Sequence, residues 1–350
     1  MFRIILKISL ILTILAGCAT TEEINETDPD SHLTQGTEYA KKDQNDRSIA
    51  DFNKAIELNR KDAMPYFNRG FVYGEKGQYD KAISDYNEAI ELNPGFSEAY
   101  INRGYAYEKQ GQYDIAITDY NKAIELNPSY AKAYYNRGIA YREKGQYDEA
   151  ITDYNKAIEF NPRYSEAYIN RGYAYEKQGQ YDKAIYDYNK AVELNPRDAM
   201  AYYNRGIAYG EKGQYDKEIS DYSKAIELNP RYVNAYYNRG LSYRKKSQHD
   251  KAISDYDKAI ELNPRYSEAY NNRGVAYEKN GQYDKAIYDY NKAIELNPVY
   301  AIAFNNRAIV YFRKKEYSEA WDDVYKAQDL GFKVQSGFLS ALRQASGREK

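Results

Sequence analysis

The chain repeats itself every 34 residues, and so short a period decides most of what it can fold into. Asn-Arg-Gly recurs at Asn68, Asn102, Asn136, Asn170, Asn204, Asn238 and Asn272, always 34 apart. Asn306-Arg307-Ala308 is an eighth copy that changes only the glycine. Seven of the nine prolines keep the same step, from Pro94 to Pro298. Ser97–Asp114 returns letter for letter at Ser165–Asp182, two periods on, which points to duplication of a two-repeat block. Gly36, Tyr39, Phe52 and Ala55 carry the frame back, so nine 34-residue units fill residues 29–334, the first and last degenerate. A unit this small cannot enclose a core and must bury its apolar face against its neighbours.

Within one unit, Tyr100, Gly104 and Tyr107 are spaced four and three, and Ala116, Tyr120 and Ala123 repeat that spacing. Each trio therefore lies on one face of a helix. Gly111, between them, suits the left-handed residue that ends the first helix, and Asp114 falls in the first turn of the second. Asn127-Pro128 stops the second helix. Small Gly104 and Ala116 let the two backbones approach closely. The unit is a helix–turn–helix hairpin.

At these positions the chain resembles the tetratricopeptide repeat (TPR) family, over nearly all of the repeated region. The resemblance implies an all-α TPR solenoid, a right-handed superhelix of hairpins with a concave groove. Several residues depart from the family pattern. Arg103 and its equivalents stand where the family carries an apolar residue. The first unit has His32, Ser48 and Arg60, and the ninth has Ala308, Lys315, Val324 and Phe332, at positions of the pattern; end units of solenoids are commonly atypical. Glu218 replaces a close-packed alanine in mid-array, so a locally weak hairpin with reduced exchange protection is expected around Ile219–Tyr222. Residues 335–350 place Phe338, Leu339 and Leu342 on one helical face, a capping helix and tail for the last unit.

Residues 1–17 have the layout of a secretory signal peptide: Arg3 and Lys7, an apolar run over Ile8–Ala16, then small residues. That run is about half of what a transmembrane helix needs. Leu15-Ala16-Gly17-Cys18 resembles a bacterial lipobox, and Cys18 is the only cysteine in the chain. The resemblance implies cleavage before Cys18 and a lipid on its thiol. Ala19 implies the outer membrane, facing the periplasm, in a Gram-negative cell. Residues 18–28 then form a flexible acidic tether, reaching roughly 40 Å if extended.

Function must come from columns of side chains. With two His and one Cys, metal and thiol chemistry have almost no raw material. Fifty Lys and Arg against 52 Asp and Glu leave no electrostatic footprint for nucleic acid. No residue breaks the repeat beside a partner as a catalytic group should, so neither an enzyme nor a cofactor is expected. The 43 tyrosines fall mainly on packing faces, as in the Tyr39 to Tyr311 and Tyr86 to Tyr290 series. Arg69 to Arg307 each have an Asp sixteen residues on, from Asp85 to Asp323, which reads as structural ion pairs ahead of an anion stripe.

The asparagines Asn68, Asn102, Asn136, Asn170, Asn204, Asn238, Asn272 and Asn306 form a third column. They could be polar residues on a solvated face. The column also resembles the asparagine ladder of the O-linked N-acetylglucosamine transferase superhelix, which implies carboxamides on a concave wall gripping an extended peptide by its backbone. A hydrogen bond contributes about 0.5–1.5 kcal/mol. Fixing a peptide residue costs about 1–2 kcal/mol. Apolar contacts must therefore supply the surplus, and Tyr135, Tyr203 and Tyr237 join the groove, flanked by Phe67, Phe71, Ile101, Tyr105, Ile139, Ile169, Tyr173, Ile207 and Leu241. Glu108, Arg142, Glu176, Arg244 and Glu278 alternate in sign nearby. The expectation is a lipid-anchored envelope scaffold binding extended segments of protein partners. A glycan-binding or polysaccharide-export accessory lipoprotein is the alternative, and end-to-end assembly of solenoids a third.

Overall fold

The computed structural model describes residues 26–348, and every regular element among them is an α-helix. Residues 1–17, with the layout expected of a signal peptide, and Cys18 lie outside the described residues, as does most of the expected tether. Helices α1 (Pro29–Lys41), α2 (Asn45–Leu58), α3 (Ala63–Glu75), α4 (Tyr79–Leu92), α5 (Ser97–Lys109), α6 (Tyr113–Leu126), α7 (Ala131–Glu143), α8 (Tyr147–Phe160) and α9 (Ser165–Lys177) form one compact unit, ending at Gln178. The second begins at Gly179 with α10 (Tyr181–Leu194), α11 (Ala199–Glu211), α12 (Tyr215–Leu228), α13 (Val233–Lys245) and α14 (His249–Leu262). It continues through α15 (Ser267–Lys279), α16 (Tyr283–Leu296), α17 (Ala301–Arg313), α18 (Tyr317–Asp329) and α19 (Ser336–Ser346). In each unit consecutive helices pair as hairpins, and each hairpin packs on the next. No helix of the described residues is long and apolar enough to cross a membrane.

The turns follow the expected chemistry. Gly111 has φ +74°, and beside it the Gln112 amide donates to the Tyr107 carbonyl at 2.9 Å, closing the end of α5. Ser247 and Lys315 keep the same left-handed turn without glycine, at φ 58° and 64°. At the other end of the hairpin Asn93 is no longer helical, and its Oδ1 accepts the Gly95 amide at 3.1 Å, a local turn that proline then fixes.

Most hairpins are filled by one ring. Tyr120, Tyr154, Tyr188, Tyr222, Tyr256 and Tyr290 are fully buried. A Cβ at Gly104 would stand 2.8 Å from Tyr120 Cε1, so this glycine makes room for the ring as well as for the backbone. The last hairpin solves the same problem differently: Ala308 is tolerated because Val324 replaces the ring, and both are buried. The Tyr107 series sits less deeply, half-buried, with lysines over some of its rings, as Lys81 is over Tyr73 at 5.3 Å. Helix α19 caps the array: Leu342 is fully buried, Phe338 meets Phe312 edge-on at 5.6 Å, and Trp321 Nε1 donates to Ser346 Oγ at 3.0 Å.

Arginines bind the stack together. Arg103 Nε and Nη2 donate to the two oxygens of Asp119 at 2.9 and 2.6 Å, while Nη1 donates to Asn87 of the preceding hairpin at 2.7 Å. Its guanidinium also lies 5.4 Å from the Tyr100 ring centroid. The same fork joins Arg69, Arg137, Arg205, Arg239, Arg273 and Arg307 to Asp85, Asp153, Asp221, Asp255, Asp289 and Asp323. In the first hairpin His32 Nδ1 meets Asp51 at 3.2 Å instead. Further polar stitches cross between hairpins: Gln110 donates to Asp80 at 2.7 Å, Asn280 to Asp250 at 2.7 Å, and Lys314 to Asp284 at 2.8 Å.

Asp119 keeps only 5% of its side chain exposed, so removing Arg103 strands a buried carboxylate. Arg103→Ala is expected to cost about 3 kcal/mol, whereas Arg103→Met with Asp119→Leu costs far less. Amide exchange across α5 and α6 checks this; equal losses in the two variants would refute it.

Candidate functional site

The asparagine column lies on the first helix of each hairpin, one residue before the stapling arginine, and its members are not equivalent. Asn68 and Asn136 are buried, and Asn68 Oδ1 has no hydrogen-bond partner among the described residues. Four others reach back to the preceding hairpin. Asn170 Nδ2 donates to Tyr135 Oη at 2.9 Å, Asn238 to Tyr203 at 2.9 Å, and Asn272 to Tyr237 at 2.8 Å. Asn306 donates to Asn271 Oδ1 at 3.0 Å. Asn170 is fully committed, since Arg142 also donates to its oxygen and its Nδ2 additionally serves the Glu166 carbonyl. Asn102 and Asn204 are half-buried with no such clasp. The residue 35 positions before Asn102 is Phe67, which has no hydroxyl to offer. Four of the eight thus link hairpins, two are buried, and Asn102 and Asn204 stay both half-exposed and unclasped.

The tyrosines assigned to the groove are also packing residues. Tyr135 is buried, 4.6 Å from the Tyr164 ring and 6.0 Å from Tyr154. Tyr203 packs on Tyr222 and Tyr232, and Tyr237 on Tyr256 and Tyr266, but both remain half-exposed. Of the apolar flank, Phe67, Phe71, Ile101 and Ile169 are buried in the hairpin core and unavailable to a ligand. Tyr105, Ile139, Tyr173, Ile207 and Leu241 stay half-exposed.

The alternating charges are partly self-neutralised. Glu108 is buried, accepts from Tyr120 Oη at 3.1 Å and lies 3.4 Å from the Lys109 ammonium. Burial pushes its carboxyl up, against the pull of Lys109. Arg313 meets the buried Glu278 at 3.1 Å. The sequence alone does not reveal these pairings, because they depend on how one hairpin lies on the next. Among the described residues no cluster of His, Cys, Asp and Glu could hold a metal ion.

Glu218 is accommodated rather than expelled. It is 6% exposed, and a Cβ at Gly210 would stand 2.5 Å from its Oε1, so the absence of a side chain there makes its space. Ser242, buried in the next hairpin at a place that is alanine in Ala140 and Ala208, faces it. Burial pushes the Glu218 carboxyl above its ordinary value, with Ser242 and the Lys245 charge pulling the other way.

Stacked hairpins bearing columns of side chains, with no metal-binding cluster among the described residues, define a helical repeat scaffold. Models described as "TPR repeat" match residues 36–77, 73–111, 140–179, 208–247 and 240–281. Models described as "Tetratricopeptide repeat" match 97–130, 165–198 and 267–300, and 119–152 and 187–220. Together they run without a gap from residue 36 to residue 300, most of the chain, which therefore belongs to the tetratricopeptide repeat family. No curated protein sequence matches it.

Among solved structures, MamA is 35% identical over 48% of this chain and 92% of its own, with a TM-score of 0.46. YrrB, described as a TPR protein with an unusual peptide-binding site, is 28% identical over 54% and 97%, at 0.46. The C-terminal part of a TPR repeat-containing protein from Cytophaga hutchinsonii is 22% identical over 69% and 98%, at 0.57, and shares the fold.

A raised folded value means that the native state holds the Glu218 proton more tightly than the unfolded chain does. Stability therefore falls as pH rises from the ordinary value through the folded one. Glu218→Gln is expected to be more stable than wild type at about pH 7.5, and nearly equal at about pH 4, close to the ordinary glutamate value. Thermal melts at the two pH values decide it. A pH-independent difference would remove the charge argument.

Proposed function

We propose that the protein is a membrane-tethered scaffold that binds extended segments of partner proteins along the face carrying the asparagine column. The observation supporting this reading is the half-exposed, unclasped state of Asn102 and Asn204 on that face, beside half-exposed Tyr105 and Ile207. An amide offers one donor group and one acceptor, the complement of a peptide unit of any sequence. The half-exposed rings and aliphatic side chains add the apolar contact that hydrogen bonds alone cannot supply. Because several column members are already occupied, binding is expected at separated points of the array.

The tether is the lipid on Cys18, placing the scaffold in the cell envelope, on the periplasmic face of the outer membrane in a Gram-negative cell. Its role there is the assembly of envelope protein complexes. The lipobox-like Leu15–Cys18 supports this part. A single acyl chain anchors weakly, so more than one chain is expected on the mature terminus.

Two experiments test these statements. The full-length protein in detergent should bind dye-labelled unstructured peptides, and the combined Asn102→Ala and Asn204→Ala variant should bind them about tenfold more weakly, as the loss of two hydrogen bonds implies. Unchanged affinity would refute the main-chain reading, and binding of an oligosaccharide array in place of the peptides would transfer the face to glycans. Separately, Cys18→Ser should move the protein from the membrane to the soluble fraction and abolish incorporation of labelled palmitate; persistence in the membrane would exclude a thiol-linked anchor.

A further inference from the structure

One place on the first-helix row differs from the rest in a way that points to a ligand. The last turn of that helix carries Glu108, Arg142, Arg244 and Glu278 in other hairpins, but Gly210 in α11. Behind Gly210 stands the carboxyl of Glu218, with Oε1 2.5 Å and Cδ 2.7 Å from where a Cβ would be. Glu218 Oε2 is buried and has no hydrogen-bond partner among the described residues. Gly74 is the internal control: it also lacks a side chain in this row, but Ala82 occupies the place equivalent to Glu218, and only the Tyr86 hydroxyl comes within 4 Å, at 3.9 Å. The missing side chain and the acid therefore coincide only in this hairpin.

A buried carboxylate oxygen without a partner is costly, and whatever supplies the missing partner recovers that cost. The Ser242 and Tyr222 hydroxyls reach the carboxyl and the Lys245 charge draws on it, but Oε2 keeps no partner. Ser242 donates its proton to the Asn238 carbonyl at 2.9 Å. The Lys245 ammonium is held 5.0 Å from the Tyr215 ring centroid. The like charge of Glu211 opposes the ionised acid.

We propose that Gly210 and Glu218 form a recess for one cationic side chain, a lysine or arginine, of the segment bound along this face. The inference rests on the segment-binding reading above and adds a sequence preference to a surface otherwise directed at main chain. Gly210 is half-buried, so the carboxyl lies directly behind a partly exposed backbone position with no side chain between them. A cation arriving there pairs with the carboxylate under low dielectric, where the interaction is stronger than at an open surface. Because burial favours the neutral acid while no cation is bound, occupation releases a proton, and affinity for the cation rises with pH.

The direct test uses n-butylammonium as probe on the full-length protein carrying glutamate labelled with carbon-13 at the side-chain carboxyl. One resonance, identified by its loss in Glu218→Gln, should shift saturably with the probe, and more strongly at about pH 8 than at about pH 5. Gly210→Ala, whose Cβ displaces the carboxyl, should abolish the shift. A flat titration in the wild type would overturn the recess. Peptides then separate the two readings: a Gly-Ser peptide with one central lysine should bind about fivefold more tightly than its alanine counterpart, and Glu218→Gln should erase that difference. If both peptides bind equally, the recess is wrong and segment binding stands. If neither binds while the n-butylammonium shift persists, segment binding fails and the cation recess remains.

Discussion

The bidentate arginine–aspartate staple is the contact on which the stack depends. It occupies a position where a helical hairpin of this class ordinarily packs an apolar side chain, and a buried ion pair is rarely the more stabilising choice. Its contribution lies in direction. Arg103 reaches three helices at once: its own, α6 through Asp119, and α4 through Asn87. Successive hairpins here are nearly identical, so their apolar faces are almost interchangeable and resist a shifted stacking only weakly. A shift of one residue would leave each guanidinium opposite the wrong group and strand a carboxylate out of water. Gln110–Asp80 and Lys314–Asp284 repeat that logic at the hairpin turn.

The hairpins were legible because they are local. The four-and-three spacing of Tyr100, Gly104 and Tyr107 places one face, Gly111 stops the helix, and Asn127-Pro128 stops the next. The pairing of Arg103 with Asp119 is legible for the same reason, since both belong to one hairpin whose helices must lie antiparallel. The contact from Arg103 to Asn87 has its own signature in the sequence: an asparagine stands sixteen residues before most of the stapling arginines, as at Asn53, Asn121 and Asn189. The link from Asn170 back to Tyr135 could not be read in this way. It depends on the rotation of one hairpin on the next, which the period leaves free.

The same limit explains Glu218. Read singly, it is a charge forced into a close-packed place and implies a defect. Gly210 and Ser242 look like neutral variation in the sequence, eight and 24 residues away. Only the stacked arrangement brings the three together, with a glycine vacating the space, a hydroxyl facing the acid, and one oxygen left without a partner. The stack houses the acid instead of turning it out to solvent.

Repetition therefore does not make this surface uniform. Whether a column asparagine is occupied depends on the residue 35 positions earlier: a tyrosine hydroxyl at Tyr135 takes the Asn170 amide, while Phe67 has nothing to offer Asn102. Exchange of tyrosine for an apolar side chain at that position changes the polar surface one hairpin away and leaves the backbone as it was. Such exchanges cost little, because the ring packs on aromatic neighbours with or without its hydroxyl: Phe67 lies tilted against Tyr86 and Phe96 much as Tyr135 does against Tyr154 and Tyr164. A chain built from duplicated hairpins can in this way acquire distinct binding points by changes of a single hydroxyl, well before its repeats diverge enough to disturb the stack.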